Sequence, residues 1–209
     1  MTDRFASMQR LLQELPAAEN YSIQVNASRR SRVKLFAPHG GCIEPCTGPI
    51  VAALADAGFD SYIFQGVRRK DCYRTLHVTS VHYDEPACLE LVATSELAVA
   101  IHGCDGEEAF IEVGGGNTAF RELLERRLNA QGYKLRRPPA ARGGEDPANF
   151  VNRARQRGIQ LELSAGFRRM LFPGFPRVVT RHPEHFPAFL DTMWKWLAEV
   201  EQQLGPSHA

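Results

Sequence analysis

The chain has 209 residues, 44% of them hydrophobic and 23% charged, with a formal net charge of +1. This is enough polypeptide for one domain with a substantial core, and the composition excludes a mainly disordered chain. The near-neutral balance argues against a nucleic-acid partner, which ordinarily selects a stronger basic bias.

The basic clusters at residues 134–137 and 153–157 and at Arg168-Arg169 read as solvated surface. No apolar run approaches the ~20 residues that span a bilayer, so a membrane partner is not expected. Residues 1–15 lack the charged-then-apolar pattern of a signal peptide. The expectation is a cytoplasmic protein, released by lysis or another route if it acts outside a cell. The five cysteines are odd in number and form no pair of CxxC motifs, so they read as small, buried, reduced side chains rather than as a zinc knuckle.

In chain order, Leu11, Leu12 and Leu15 mark a short amphipathic helix, and residues 1–20 are taken as an N-terminal helical segment. Residues 33–37 form a β-type run that stops at Pro38-His39-Gly40-Gly41. A short helix over residues 50–54 closes at Gly58. Strands are predicted over 60–65 and 76–80, and a helix over 86–95. Residues 97–101 are continuously apolar, as in a strand buried on both faces, and end at His102-Gly103. A strand over 109–113 leads into Gly114-Gly115-Gly116. That run lacks the ending of a phosphate loop and reads as a turn into a helix capped by Asn117 or Thr118. The helix over 120–130 buries Leu123, Leu124 and Leu128. A polar loop over 138–147 precedes a helix over 148–156. Residues 159–164 then alternate, with Glu162 opposite three apolar side chains, and a last helix covers 187–204. Strands alternating with helices predict a single α/β domain over residues 21–205, with a mixed or parallel central sheet flanked by helices.

Ligands in such sheets bind beyond the carboxyl ends of the strands. His39 and His102 both follow apolar strands, and Gly40-Gly41 would let Glu44 fold back toward His39. Two imidazoles and a carboxylate are a catalytic zinc set. The alternative is that both histidines occupy ordinary turns. His77 and His82 compete with them, whereas His182, His185 and His208 lie toward the C-terminal helix or tail. By alternation alone, opposite three apolar side chains, Glu162 reads as facing solvent.

The segment Pro38-His39-Gly40-Gly41-Cys42-Ile43-Glu44-Pro45 resembles the zinc motif of the poly-γ-glutamate hydrolase family, found in phages and bacteria and often labelled phage-related replication proteins. Leu76-His77-Val78-Thr79-Ser80, Tyr83-Asp84-Glu85-Pro86, Ile101-His102-Gly103-Cys104 and Gly158-Ile159-Gln160-Leu161-Glu162-Leu163-Ser164 resemble further blocks of that family, in the same order. Cys46 stands where the resemblance leads one to expect a smaller residue such as glycine.

The resemblance implies a zinc-carboxypeptidase-like (phosphorylase/hydrolase-like) fold. It implies Zn2+ held by His39, Glu44 and His102, and Glu162 as general base. The implied reaction is hydrolysis of γ-glutamyl amide bonds by metal-activated water. The implied partner is an anionic γ-glutamyl polymer, whose free carboxylates suit arginine. By the same resemblance Asn152 and Arg153 are the preferred substrate contacts. Arg157 and Arg168 are candidates for that role or for plain surface. The rival readings are a zinc amidase or deacylase acting on another small acidic amide and a replication-associated nucleic-acid-binding protein.

Overall fold

The computed structural model describes residues 3–177 and 180–205; His208 lies outside them. Seven strands form one mixed sheet: β1 (Tyr21–Asn26), β2 (Val33–Gly41), β3 (Asp60–Gly66), β4 (Leu97–Cys104), β5 (Ile111–Gly114), β6 (Leu135–Arg136) and β7 (Gly158–Ser164). Their order across the sheet is β1-β3-β2-β4-β7-β5-β6. The central strands β3, β2, β4 and β7 run parallel, β1 and β5 join antiparallel, and β6 runs parallel to β5.

Side-chain alternation along the central strands sorts the core into two layers. Leu35, Ala37, Val99, Ile101, Leu161 and Leu163 face one side. There they pack against α3 (Thr47–Ala55), α6 (Thr118–Ala130), α7 (Ala165–Leu171) and α8 (His185–Gln203). Phe36, Tyr62, Phe64, Ala98 and Ala100 face the other side. Their partners are α1 (Met8–Glu14), α4 (Cys72–Leu76) and α5 (Pro86–Ala93). A four-residue helix, α2 (Ala17–Asn20), leads into β1.

Within the N-terminal helical segment, Met8 and Leu11 are fully buried in this second layer, continuous with the rest of the domain. No helix among the described residues is long and apolar enough to cross a membrane.

Three expectations are corrected. Residues 76–80 are not a strand: α4 ends at Leu76, and a 3-10 turn begins at Ser80. The apolar alternation there serves packing of Leu76 and Val78 under the sheet rather than pairing within it. The helix expected over 148–156 shrinks to one 3-10 turn, Phe150–Arg153, because the backbone is already extended at Ala154 (ψ 153°) and then turns through a positive φ at Arg157. The cysteines are not all reduced: Cys42 and Cys72 form a disulfide across 30 residues of sequence, while Cys46, Cys88 and Cys104 are free and buried. Strand β2 delivers Cys42 beside the start of α4, a proximity that linear spacing does not reveal. The turn into α6 is as expected, with Asn117 accepting from the Phe120 N–H at 3.0 Å.

Candidate metal centre and active-site cavity

The end of β2 builds the first half of the site. Its register with β3 shifts between Ala37 and Gly40, which re-aims His39. The two glycines are required by close approach. A Cβ on Gly40 would lie 2.8 Å from the Phe64 carbonyl, and one on Gly41, at φ +70, would lie 2.1 Å from that of Gly66. The chain then curls back, with the Glu44 N–H donating to the His39 carbonyl at 2.8 Å. Cys46 takes a φ of 77°, a left-handed geometry that glycine adopts with least strain.

Strands β4 and β7 supply the other half. His102 and Glu162 are register partners in the parallel pair, both on the α1/α5 side of the sheet. All four side chains are buried: His39 is 2% exposed, His102 3%, Glu44 6% and Glu162 6%. Glu162 therefore does not face bulk solvent.

His39 Nε2 lies 2.9 Å from the Val78 carbonyl, which can only accept, so Nε2 carries the proton and Nδ1 is free to bind. That Nδ1 is 3.0 Å from Glu44 Oε1 and 3.2 Å from His102 Nδ1, and His102 Nδ1 is 3.5 Å from Glu44 Oε2. Ligand atoms about 2.0–2.1 Å from a tetrahedral zinc lie about 3.3–3.4 Å from one another. The spacing thus fits one small cation, and the donor set of two imidazoles and a carboxylate fits zinc. The 3.0 Å approach of His39 Nδ1 to Glu44 Oε1 calls for a cation between them, a proton in the metal-free protein or a metal ion in its place.

The electrostatics agree. Burial opposes a charged His39, but the Glu44 carboxylate and the Val78 carbonyl outweigh it and raise its proton affinity. Burial likewise opposes an ionised Glu44, but His39 and the hydrogen bonds of both imidazoles hold it well below the usual carboxylate range.

Glu162 behaves oppositely. Burial, partly countered by His102 and reinforced by Glu44, pushes it up to about 7. Gln160, two residues earlier on the same strand face, donates to Glu162 Oε1 at 2.9 Å and is itself held by Asn149 at 2.9 Å. Glu162 is thereby oriented and poised between its two protonation states near neutral pH.

His77 is the competitor that the geometry brings near. His39, Glu44 and His77 each offer a ligand atom within 4.8 Å of the others. His77 Nδ1, however, is engaged by Asp3 at 2.7 Å, and the ring is stacked on Tyr73. His102 Nδ1, at 3.2 Å from His39 and 3.5 Å from Glu44, has no such competing carboxylate partner outside the cluster among the described residues. His82, His182 and His185 are not among the described residues that line the cavity.

That cavity, of about 1370 Å³, opens over the four side chains. None of Asn152, Arg153, Arg157 and Arg168 is among its described lining residues. The amide of Asn152 is engaged with the main chain of Gly116, Gly144, Asp146 and Gly158. Arg153 and Arg157 are exposed, and Arg168 is buried beneath the site. The cations that do line the cavity are Arg121, Arg136, Arg137 and Arg142. Sequence reasoning left these out: Arg136 and Arg137 belong to a cluster read as surface, and Arg121 to the polar face of a helix. Gln160 also went unnoticed, although the two-residue strand period marks it as a neighbour of Glu162.

Comparison with known proteins agrees with this architecture. The chain is 33% identical over 173 residues to UPF0714 protein YndL of Bacillus subtilis (strain 168), covering 80% of this chain and 68% of that protein. A bacteriophage poly-gamma-glutamate hydrolase structure superposes with a TM-score of 0.90 at 29% identity, covering 97% of this chain and all of that one. The zinc-free apo form of YndL gives 0.86 at 28% identity, covering 95% and 99%. The profile of the poly-gamma-glutamate hydrolase family matches residues 5–192, and the chain belongs to that family of hydrolases.

Proposed function

We propose that this hydrolase uses zinc, held by His39, Glu44 and His102, to cleave γ-glutamyl amide bonds of poly-γ-glutamate. The observation that carries the reading is the convergence of three buried donor atoms at zinc-like spacing, with the Glu162 carboxylate beside them. Bound there, zinc would act as a Lewis acid toward the amide carbonyl and would make water nucleophilic at neutral pH.

The protein's own residues supply the rest. Val78 fixes the tautomer of His39, and the Gly103 N–H donates to Glu44 Oε2 at 2.9 Å, orienting the carboxylate. Glu162, anchored through Oε1 by Gln160, takes a proton from the attacking water and returns it to the leaving amine. In the metal-free protein burial raises its proton affinity, and a dication bound beside it would favour the carboxylate that accepts the proton.

A γ-linked glutamate chain carries one free carboxylate per residue. Arg136, Arg137 and Arg142 on the cavity wall are its proposed contacts, in place of Asn152, Arg153, Arg157 and Arg168. Arg142 would have to exchange its two 3.0 Å bonds to Glu112, and Arg136 its pair with Glu108, whereas Arg137 is engaged by no side-chain hydrogen bond or ion pair among the described residues.

The test is depolymerisation of poly-γ-glutamate by zinc-loaded protein. Cleavage should stop with a chelator and return with zinc, and Arg137→Gln should raise KM while leaving kcat unchanged. Zinc-loaded protein that ignores the polymer but cleaves small N-acyl amino acids would contradict the substrate assignment. Cleavage indifferent to chelation would contradict the metal.

A further inference from the structure

Arg168 lies on α7, immediately beyond the strand that carries Glu162, and is only 4% exposed. Buried arginines ordinarily face a carboxylate. The three hydrogen bonds of this guanidinium go instead to main-chain carbonyls: Nε to Leu163 at 3.1 Å, Nη1 to Pro45 at 3.0 Å and Nη2 to Cys104 at 3.0 Å. Leu163 follows Glu162, Pro45 follows Glu44, and Cys104 comes two residues after His102. One planar group therefore ties together three backbone segments that are remote in sequence and each carry a site residue.

The slot is shaped for it. A Cβ on Gly103 would stand 2.6 Å from Arg168 Cζ, and the Phe175 ring closes over the guanidinium, 5.0 Å from its centroid.

We propose that Arg168 is a positioning residue that sets the spacing of Glu44, His102 and Glu162, and through it the affinity of the centre for its cation. This rests on the metal-centre reading above. The rigid fork of arginine can bond three fixed carbonyls in one plane, whereas a lysine ammonium is a single flexible point. Charge alone would not serve.

The experiment measures zinc affinity by competition with a chromophoric chelator, on full-length protein shown to be folded by circular dichroism. The proteins are the wild type, Arg168→Lys, Gly103→Ala and Val200→Ala, the last a core change on α8. Groups that orient metal ligands typically matter about 10–100-fold in affinity, and that loss is expected in Arg168→Lys and Gly103→Ala, with Val200→Ala close to wild type. Wild-type affinity in folded Arg168→Lys, or an equal loss in Val200→Ala, would overturn the proposal. Should Arg168→Lys fail to fold, Gly103→Ala decides alone, and wild-type affinity there overturns it. A wild type that takes no zinc sinks the metal-centre reading and this proposal together. A wild type that binds zinc beside unaffected variants sinks this proposal only.

Discussion

Glu162 sits where a carboxylate is hard to keep ionised, 6% exposed and near Glu44. Its folded value of about 7 lies above the ordinary 4.5, so the folded metal-free protein binds a proton there that the unfolded chain has already released. Between those two values the native state holds more protons than the unfolded state, and stability contributed by this group falls as pH rises. Thermal unfolding of metal-free wild type and Glu162→Gln, compared from pH 5 to pH 8, should show the variant gaining several degrees on the wild type across that window. A pH-independent difference would contradict the placement of Glu162. His39 and His102 stood out in the sequence because each follows an apolar strand and precedes a glycine, whereas Glu162 was singled out only by the family resemblance, since alternation alone points it to solvent. The role of Arg168 was not legible, because its partners are carbonyls, which every residue carries. Only the fold decides which carbonyls meet one guanidinium.

Among the elements, the central strands β2 and β4 read clearly from their apolar runs and β7 from its alternation, and all three end on the site. Edge strand β1 was missed although Tyr21, Ile23 and Val25 alternate with Ser22, Gln24 and Asn26 as in a half-buried strand, and β6 was missed because it is two residues long. Helix α4 is the element whose placement matters most and whose sequence signalled least. It begins at Cys72, half of the disulfide, and carries Tyr73, which stacks on His77 at 4.6 Å. His77 in turn packs against His39 at 4.3 Å. The disulfide thus pins one wall of the cavity to the end of β2. Closing a loop of this size typically contributes about 2–4 kcal/mol. Replacing both Cys42 and Cys72 by Ala should lower the midpoint of thermal unfolding by roughly 5–15 °C. Thiol reductant should lower the wild type similarly and leave the variant unmoved. A midpoint insensitive to both would show that the bond does not form in solution.

At the scale of the whole molecule, the strand order explains why residues from 39 to 162 meet. Strands β2, β4 and β7 are consecutive in the parallel part of the sheet, so their carboxyl ends open on the same side. The alternation of strands and helices announced an α/β domain. It could not announce strand order, since sequence neighbours β5 and β6 are displaced to the edge while β7 enters the middle. The proposed function therefore depends on three side chains from different parts of the chain sharing one ion. Zinc stoichiometry after equilibrium dialysis tests this most directly, measured on wild type, His39→Ala, His102→Ala, His77→Ala and Glu162→Gln. One zinc per chain is expected in the wild type, His77→Ala and Glu162→Gln, and none in His39→Ala or His102→Ala. Zinc retained at full stoichiometry in His102→Ala and lost in His77→Ala, or absent from the wild type, would contradict that shared site.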